Sequence, residues 1–251
     1  MGVEFAPLPG WAALHLGLLW AEIRADYPQF ELQPPLPSQI EQTGQRAPQV
    51  PGFSIELGDP FKLRCWFIKG GGSQLIQVQD SRFIVNWRRV SKEDAYPHYK
   101  NFRPVFEQEW RRFTGFLGRN EFPEPRIVQC ELTYVNHFPR GLGWADYADM
   151  PRVFSTWAGT SPPLPAPEML AWNTRFLMPD EKGRLHVAVQ PVMRLTDAKE
   201  ALQMTLTARG APSGSSLPEA LEWFDLGRRW LVDAFTGLTS PEMHKLWNAG
   251  E

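Results

Sequence analysis

A chain of 251 residues is long enough to bury a substantial core, as one large domain or two small ones. Hydrophobic residues at 43% and charged residues at 22% exclude a disordered chain. A formal net charge of −2 supplies no global positive field for nucleic acid or an anionic membrane.

Leu8 to Asp26 reads as a helix, with Ala12, Leu16, Leu19, Ile23 and Tyr27 on one face. Tyr27-Pro28 stops it, because the residue before proline is pushed out of the helical region. The run WAALHLGLLWA inside it is too short to span a bilayer, and no basic segment precedes it as in a signal peptide. The expectation is a cytosolic protein. Pro28 to Pro60 is rich in Pro, Gln and Gly without periodicity, which predicts a loop wrapping the body.

Three strands follow. In FKLRCWFIKG, Phe61, Leu63, Cys65 and Phe67 alternate with Lys62, Arg64 and Trp66, the mark of a strand with one wet face. Gly70-Gly71-Gly72 turns the chain into SQLIQVQ. A phosphate cradle would need a helix after those glycines, so a hairpin is the reading. Asp80-Ser81 turns it again into SRFIVNWRRV.

Tyr99 to Leu117 is amphipathic, with Phe102, Phe106, Trp110, Phe113 and Leu117 on the buried side. Glu107, Glu109, Arg111 and Arg112 supply the polar side, Pro104 suits a first turn, and Gly118 closes the helix. In the strand Arg126 to Phe138, Val128, Cys130, Leu132, Tyr134 and Phe138 face one way. Gln129, Glu131, Thr133 and His137 face the other.

Residues 141–167 are irregular, and SPPLPAP favours extended polyproline conformation, so this segment connects two halves. The second half repeats the first: MLAWNTRFLM, GRLHVAVQPVMRL and KEALQMTLTARG, then an amphipathic stretch from Leu217 to Leu238. Ser216 and Glu219 have capping-box spacing at its start, and Ser240-Pro241 opens a short terminal helix. EWRRFTGFLG and RRWLVDAFTGL end the two long helices alike. The pattern predicts an α+β fold: one domain over 1–251, its antiparallel sheet built from two β-β-β-α halves (1–140 and 168–251). The long helices pack on one side.

No GxSxG elbow, HExxH or CxxC occurs, and His15, His98, His137, His186 and His244 are dispersed, so no catalytic, metal or cofactor site is assigned. Cys65 and Cys130 fall within strands as small apolar residues, without a disulfide framework. A candidate polar sheet face comprises Arg64, Glu131, His137, His186 and Arg194. The 11 Trp and 16 Phe fill a core or anchor an interface. Double-arginine steps lie beside aromatics at Trp87-Arg88-Arg89, Trp110-Arg111-Arg112-Phe113 and Arg228-Arg229-Trp230. Arginine with tryptophan is the usual chemistry of protein–protein hot spots, and also of single-stranded nucleic-acid grips. Trp87, Arg88, Arg89, Arg228 and Trp230 are therefore the candidate partner contacts.

The strands LIQVQDSRFIVNW and CELTYVNHF, with Tyr96-Pro97 and the closing helix, resemble a sporadically distributed bacterial family of uncharacterised proteins of similar length. The resemblance covers roughly the whole chain and brings no catalytic residue with it. The patchy occurrence of that family resembles mobile or defence-related genes, which implies a partner protein in such an assembly. The leading expectation is thus a non-enzymatic protein-binding component, within a bacterial defence or toxin–antitoxin assembly. The alternatives are a small-molecule binder with a cavity between sheet and C-terminal helix and, third, a single-stranded nucleic-acid binder. No membrane role is expected.

Overall fold

The computed structural model describes residues 1–42, 63–91, 93–159, 164–194 and 198–248. Among them run β1 (Gly2–Phe5), α1 (Ala13–Ile23), β2 (Gln29–Gln33), β3 (Arg64–Ile68), β4 (Gln74–Gln79), β5 (Arg82–Trp87), α2 (His98–Arg119) and β6 (Ile127–Pro139). Then come α3 (Met150–Val153), β7 (Trp172–Leu177), β8 (Arg184–Met193), β9 (Glu200–Gly210), α4 (Leu217–Leu238) and α5 (Pro241–Asn248). The fold is α+β with antiparallel strands, and the two β-β-β-α runs are β3-β4-β5-α2 and β7-β8-β9-α4. Two compact units divide the chain: Met1–Glu131 with Gly210–Asp225, and Leu132–Arg209 with Leu226–Glu251. The division falls within β6, at the end of β9 and within α4.

In the first unit the strand order is β2-β3-β4-β5-β1-β6. One register row, Cys65–Val78–Phe83–Val3–Cys130, faces the helices, and each of its residues is almost wholly buried. Above it Phe83 stacks on Phe113 at 5.1 Å and meets Trp110 edge-on at 5.5 Å. Phe5 packs on Trp110, and Phe106 on Phe224. Burying such rings is the main favourable term for a sheet whose other face is polar.

Several local readings change. The first helix starts at Ala13, not Leu8, and His15 explains the start: its Nδ1 accepts the Ala12 N–H at 2.9 Å. Residues 2–5 form a strand between β5 and β6, where backbone pairing on both sides outweighs the small size of Gly2. The expected loop from Pro28 contains β2, paired with β3; residues 43–60, together with Phe61 and Lys62, lie outside the described residues. α2 begins at His98, so Pro104 lies inside the helix and not in its first turn. Glu109, expected on its polar side, is buried, and Val128, expected inward, is 41% exposed.

In the second unit the order is β6-β9-β8-β7. Leu185, Val187, Val189, Met204 and Leu206 form the buried face, as their alternation predicts. Phe138 at the end of β6 stacks on Trp247 of α5 at 5.5 Å and meets Phe154 edge-on at 5.7 Å. Ser240 caps α5, its Oγ accepting the Met243 N–H at 3.1 Å. Of SPPLPAP, residues 161–163 lie outside the described residues. No helix among the described residues is long and apolar enough to cross a membrane.

Candidate functional site

The outward face of the first unit carries a row one residue removed from the buried one. Gln79 of β4 registers with Arg82 of β5, Arg82 with Glu4 of β1, and Glu4 with Gln129 of β6. Successive residues of a strand point to opposite faces, so all four project away from the helices. All four are nonetheless buried. Residues 34–41 cover them.

This strap continues directly from β2 and crosses the strands in the order of its own residues. Arg64 Nε of β3 donates to the Pro34 carbonyl at 3.1 Å. The Leu36 N–H donates to Gln79 Oε1 at 3.0 Å, and Gln79 Nε2 donates back to the Leu36 carbonyl at 3.1 Å. Arg82 Nη2 donates to the Pro37 carbonyl at 3.1 Å. The Ser38 hydroxyl donates to Glu4 Oε1. The Glu41 N–H donates to Gln129 Oε1 at 2.7 Å, and Gln129 Nε2 donates to the Gln39 carbonyl at 2.8 Å.

Geometry explains the match. Neighbouring strands lie ~4.8 Å apart, so β4 to β6 spans about 14 Å. Five residues of extended chain at ~3.1 Å each cover about the same distance. Except for Ser38, every strap group engaged in these bonds is main chain. A carboxamide carries both a donor NH2 and an acceptor oxygen, which suits it to pair with a peptide group as a neighbouring strand would.

The row is electrically balanced at its centre. Arg82 Nη2 lies 2.6 Å from Glu4 Oε2, with both side chains less than a tenth exposed. Among the described residues, Arg82 Nε is buried without a hydrogen-bond partner. Leaving such a donor unanswered costs roughly 1–3 kcal/mol. Arg64 stacks over Trp66 at 5.6 Å and shares Gln77 Oε1 with it. Burial, and then the charge of Arg82, holds the Arg64 guanidinium below its ordinary pKa. Beside the row, Gly2, Ile84 and Glu131 help line a shallow cleft with room for about one water.

Of the polar sheet-face residues expected from sequence, Arg64 thus joins the strap and Glu131 borders the cleft. The others belong to the second unit. His137 Nε2 lies 3.2 Å from Gln203 Oε1, whereas His186 registers with Thr207. Gln203 and Thr207 are four residues apart on β9, which sets the two histidine rows roughly 13 Å apart. Arg194 sits at the β8–β9 turn, where its N–H donates to the Lys199 carbonyl. Among the described residues no three His, Cys, Asp or Glu side chains are grouped to hold a metal.

The expected partner contacts fall in both units. Trp87 ends β5 half-buried against Tyr96, ring centres 5.5 Å apart. Arg88 and Arg89 follow, both exposed, their Nε atoms donating to the carbonyls of Gly72 and Asp94. On α4 in the second unit, Arg228 is exposed and Trp230 half-buried. The other arginine step is neutralised locally: Arg111 pairs with Glu107 at 2.8 Å and Arg112 with Asp26 at 2.8 Å. Sequence reasoning placed Gln129 on the polar face but missed Glu4, Gln79 and Arg82 as a set. The available signal was Gln79 and Arg82 on either side of the Asp80-Ser81 turn, with Glu4 inside the N-terminal strand. Comparison with protein-family models, curated proteins and solved structures gives no match for this chain.

Proposed function

We propose that this chain is a non-enzymatic protein-binding component that holds an extended segment across the outer sheet face of its first unit. One observation carries the reading: buried Gln79 and Gln129 each offer a donor and an acceptor to the main chain of residues 36–41. Extended peptides are recognised in this way, with main-chain bonds giving affinity and few side chains giving selectivity. Half-buried Trp87 with exposed Arg88 and Arg89 supplies a second contact of hot-spot composition.

The packing of Phe5, Phe83, Phe106, Trp110 and Phe113 favours this reading over a ligand cavity between sheet and helix in the same unit. Local pairing of Arg111 and Arg112 favours it over nucleic-acid binding. The reading takes the protein to act in the cytoplasm, on the strength of its two free thiols. The sequence resemblance supports a bacterial defence assembly as the setting.

The test compares tagged protein recovered from its native host with a Gln79→Ala/Gln129→Ala variant. The expected result is a stoichiometric partner that the variant loses, identified by mass spectrometry. The same retained proteins from both, or none from either, would overturn the reading.

A further inference from the structure

We infer that the Pro34–Glu41 strap is an internal occupant of the row, and that the row also takes an extended proline-containing segment of the same backbone chemistry from a partner protein. This rests on the protein-binding reading above and adds its regulation.

The strap itself displays what the row accepts. The carbonyls of Pro34 and Pro37 accept from Arg64 and Arg82. Proline lacks an N–H, so it fits where the site asks for an acceptor alone. Leu36 and Glu41 supply N–H groups where Gln79 and Gln129 present acceptors. Among the described hydrogen bonds between strap and row, the strap side chain read is that of Ser38, by Glu4. A fitting segment therefore runs extended, with proline at the first and fourth places, free N–H groups at the third and eighth, and a hydroxyl at the fifth.

Two further observations mark the strap as exchangeable. Its apolar side chains anchor it little: Leu36 is half-buried, and Ile40 is 47% exposed. It is held by hydrogen bonds that water or another peptide can replace. Among the described residues it also leaves the buried Arg82 Nε unanswered, one donor that a differently seated carbonyl would satisfy. Because the strap continues from β2 with no linker, it competes at high effective concentration. A partner segment thus binds weakly until the strap leaves.

A fluorescein-labelled peptide of residues 33–42 is titrated into the full chain and into a variant whose strap carries the replacements Leu36→Pro and Glu41→Pro, which remove the two N–H groups that Gln79 and Gln129 accept. The peptide should bind the variant about tenfold or more tightly than wild type. Gln129→Ala in that variant should weaken binding about fivefold or more. Equal binding to both proteins removes the internal competitor while leaving the protein-binding reading intact. No binding to a variant that keeps its native circular dichroism overturns both. If the replacements unfold the chain, amide exchange in wild type decides. The Leu36 and Glu41 amides should exchange about a hundredfold faster than those of Phe5 and Val85. Equal protection would mean that the strap does not leave, and the inference falls.

Discussion

Gln79 and Leu36 exchange two hydrogen bonds, carboxamide to main chain, across 43 residues of sequence. Each bond is worth about 0.5–1.5 kcal/mol net. Gln79→Ala should therefore lower unfolding stability by about 1–3 kcal/mol. More tellingly, it should free the strap: limited proteolysis should cut within residues 34–42 several-fold faster than in wild type. An unchanged cleavage rate would mean that the carboxamide does not hold the strap.

The Glu4–Arg82 pair and the Arg140–Glu200 pair have the same 2.6 Å separation and different surroundings. The first is buried; in the second, Arg140 is 49% exposed. Removing one member of a buried pair leaves an uncompensated charge, at roughly 3–5 kcal/mol, whereas exposed pairs are worth about 0–1 kcal/mol. Glu4→Ala should thus cost several times as much stability as Glu200→Ala, although the latter also loses the Tyr147 hydroxyl bond. Urea titrations of both variants measure the ratio, and equal losses would contradict the burial argument.

Much of the fold is legible because it rests on local periodicity. Leu185, Val187 and Val189 alternate as a strand must, and Phe106, Trp110, Phe113 and Leu117 recur as a helix face must. β1 is different. Its four residues are too few to show alternation, and its place depends on β5 and β6, far along the chain. The site is the least legible part for the same reason. Nothing near Gln129 marks it as buried, because what buries it is a segment about 90 residues earlier. Arg64 is legible from its place on a wet strand face, whereas Arg82 stands beside a hairpin turn, where polar residues are ordinary.

Both thiols should be silent in the native state. Cys65 and Cys130 are buried, and burial pushes the Cys65 thiol up to about 12 and the Cys130 thiol higher still. The thiolate is the reactive form, so neither combines access with ionisation at neutral pH. A chromogenic disulfide reagent should find no fast-reacting thiol in native protein and two in urea. One rapid equivalent without denaturant would show that a strand carrying one of them opens locally.

Tyr27, four residues past the end of α1, is tied to α2 through a buried bond, its hydroxyl donating to Glu109 Oε1 at 2.9 Å. Burial first, and then the Glu109 carboxylate, pushes this phenol above its ordinary value of about 10. A group whose folded pKa is raised stabilises the fold fully below the unfolded value. That contribution falls as pH rises beyond it, because the unfolded chain releases the proton first. Tyr27→Phe removes the donor and should cost about 1–2 kcal/mol at pH 7. Between pH 10 and 11 the gap between wild type and variant should narrow, since only wild type carries the titrating phenol. Urea unfolding at the two pH values measures this, and a gap that stays constant or widens on the alkaline side would refute the role given to the Tyr27–Glu109 bond.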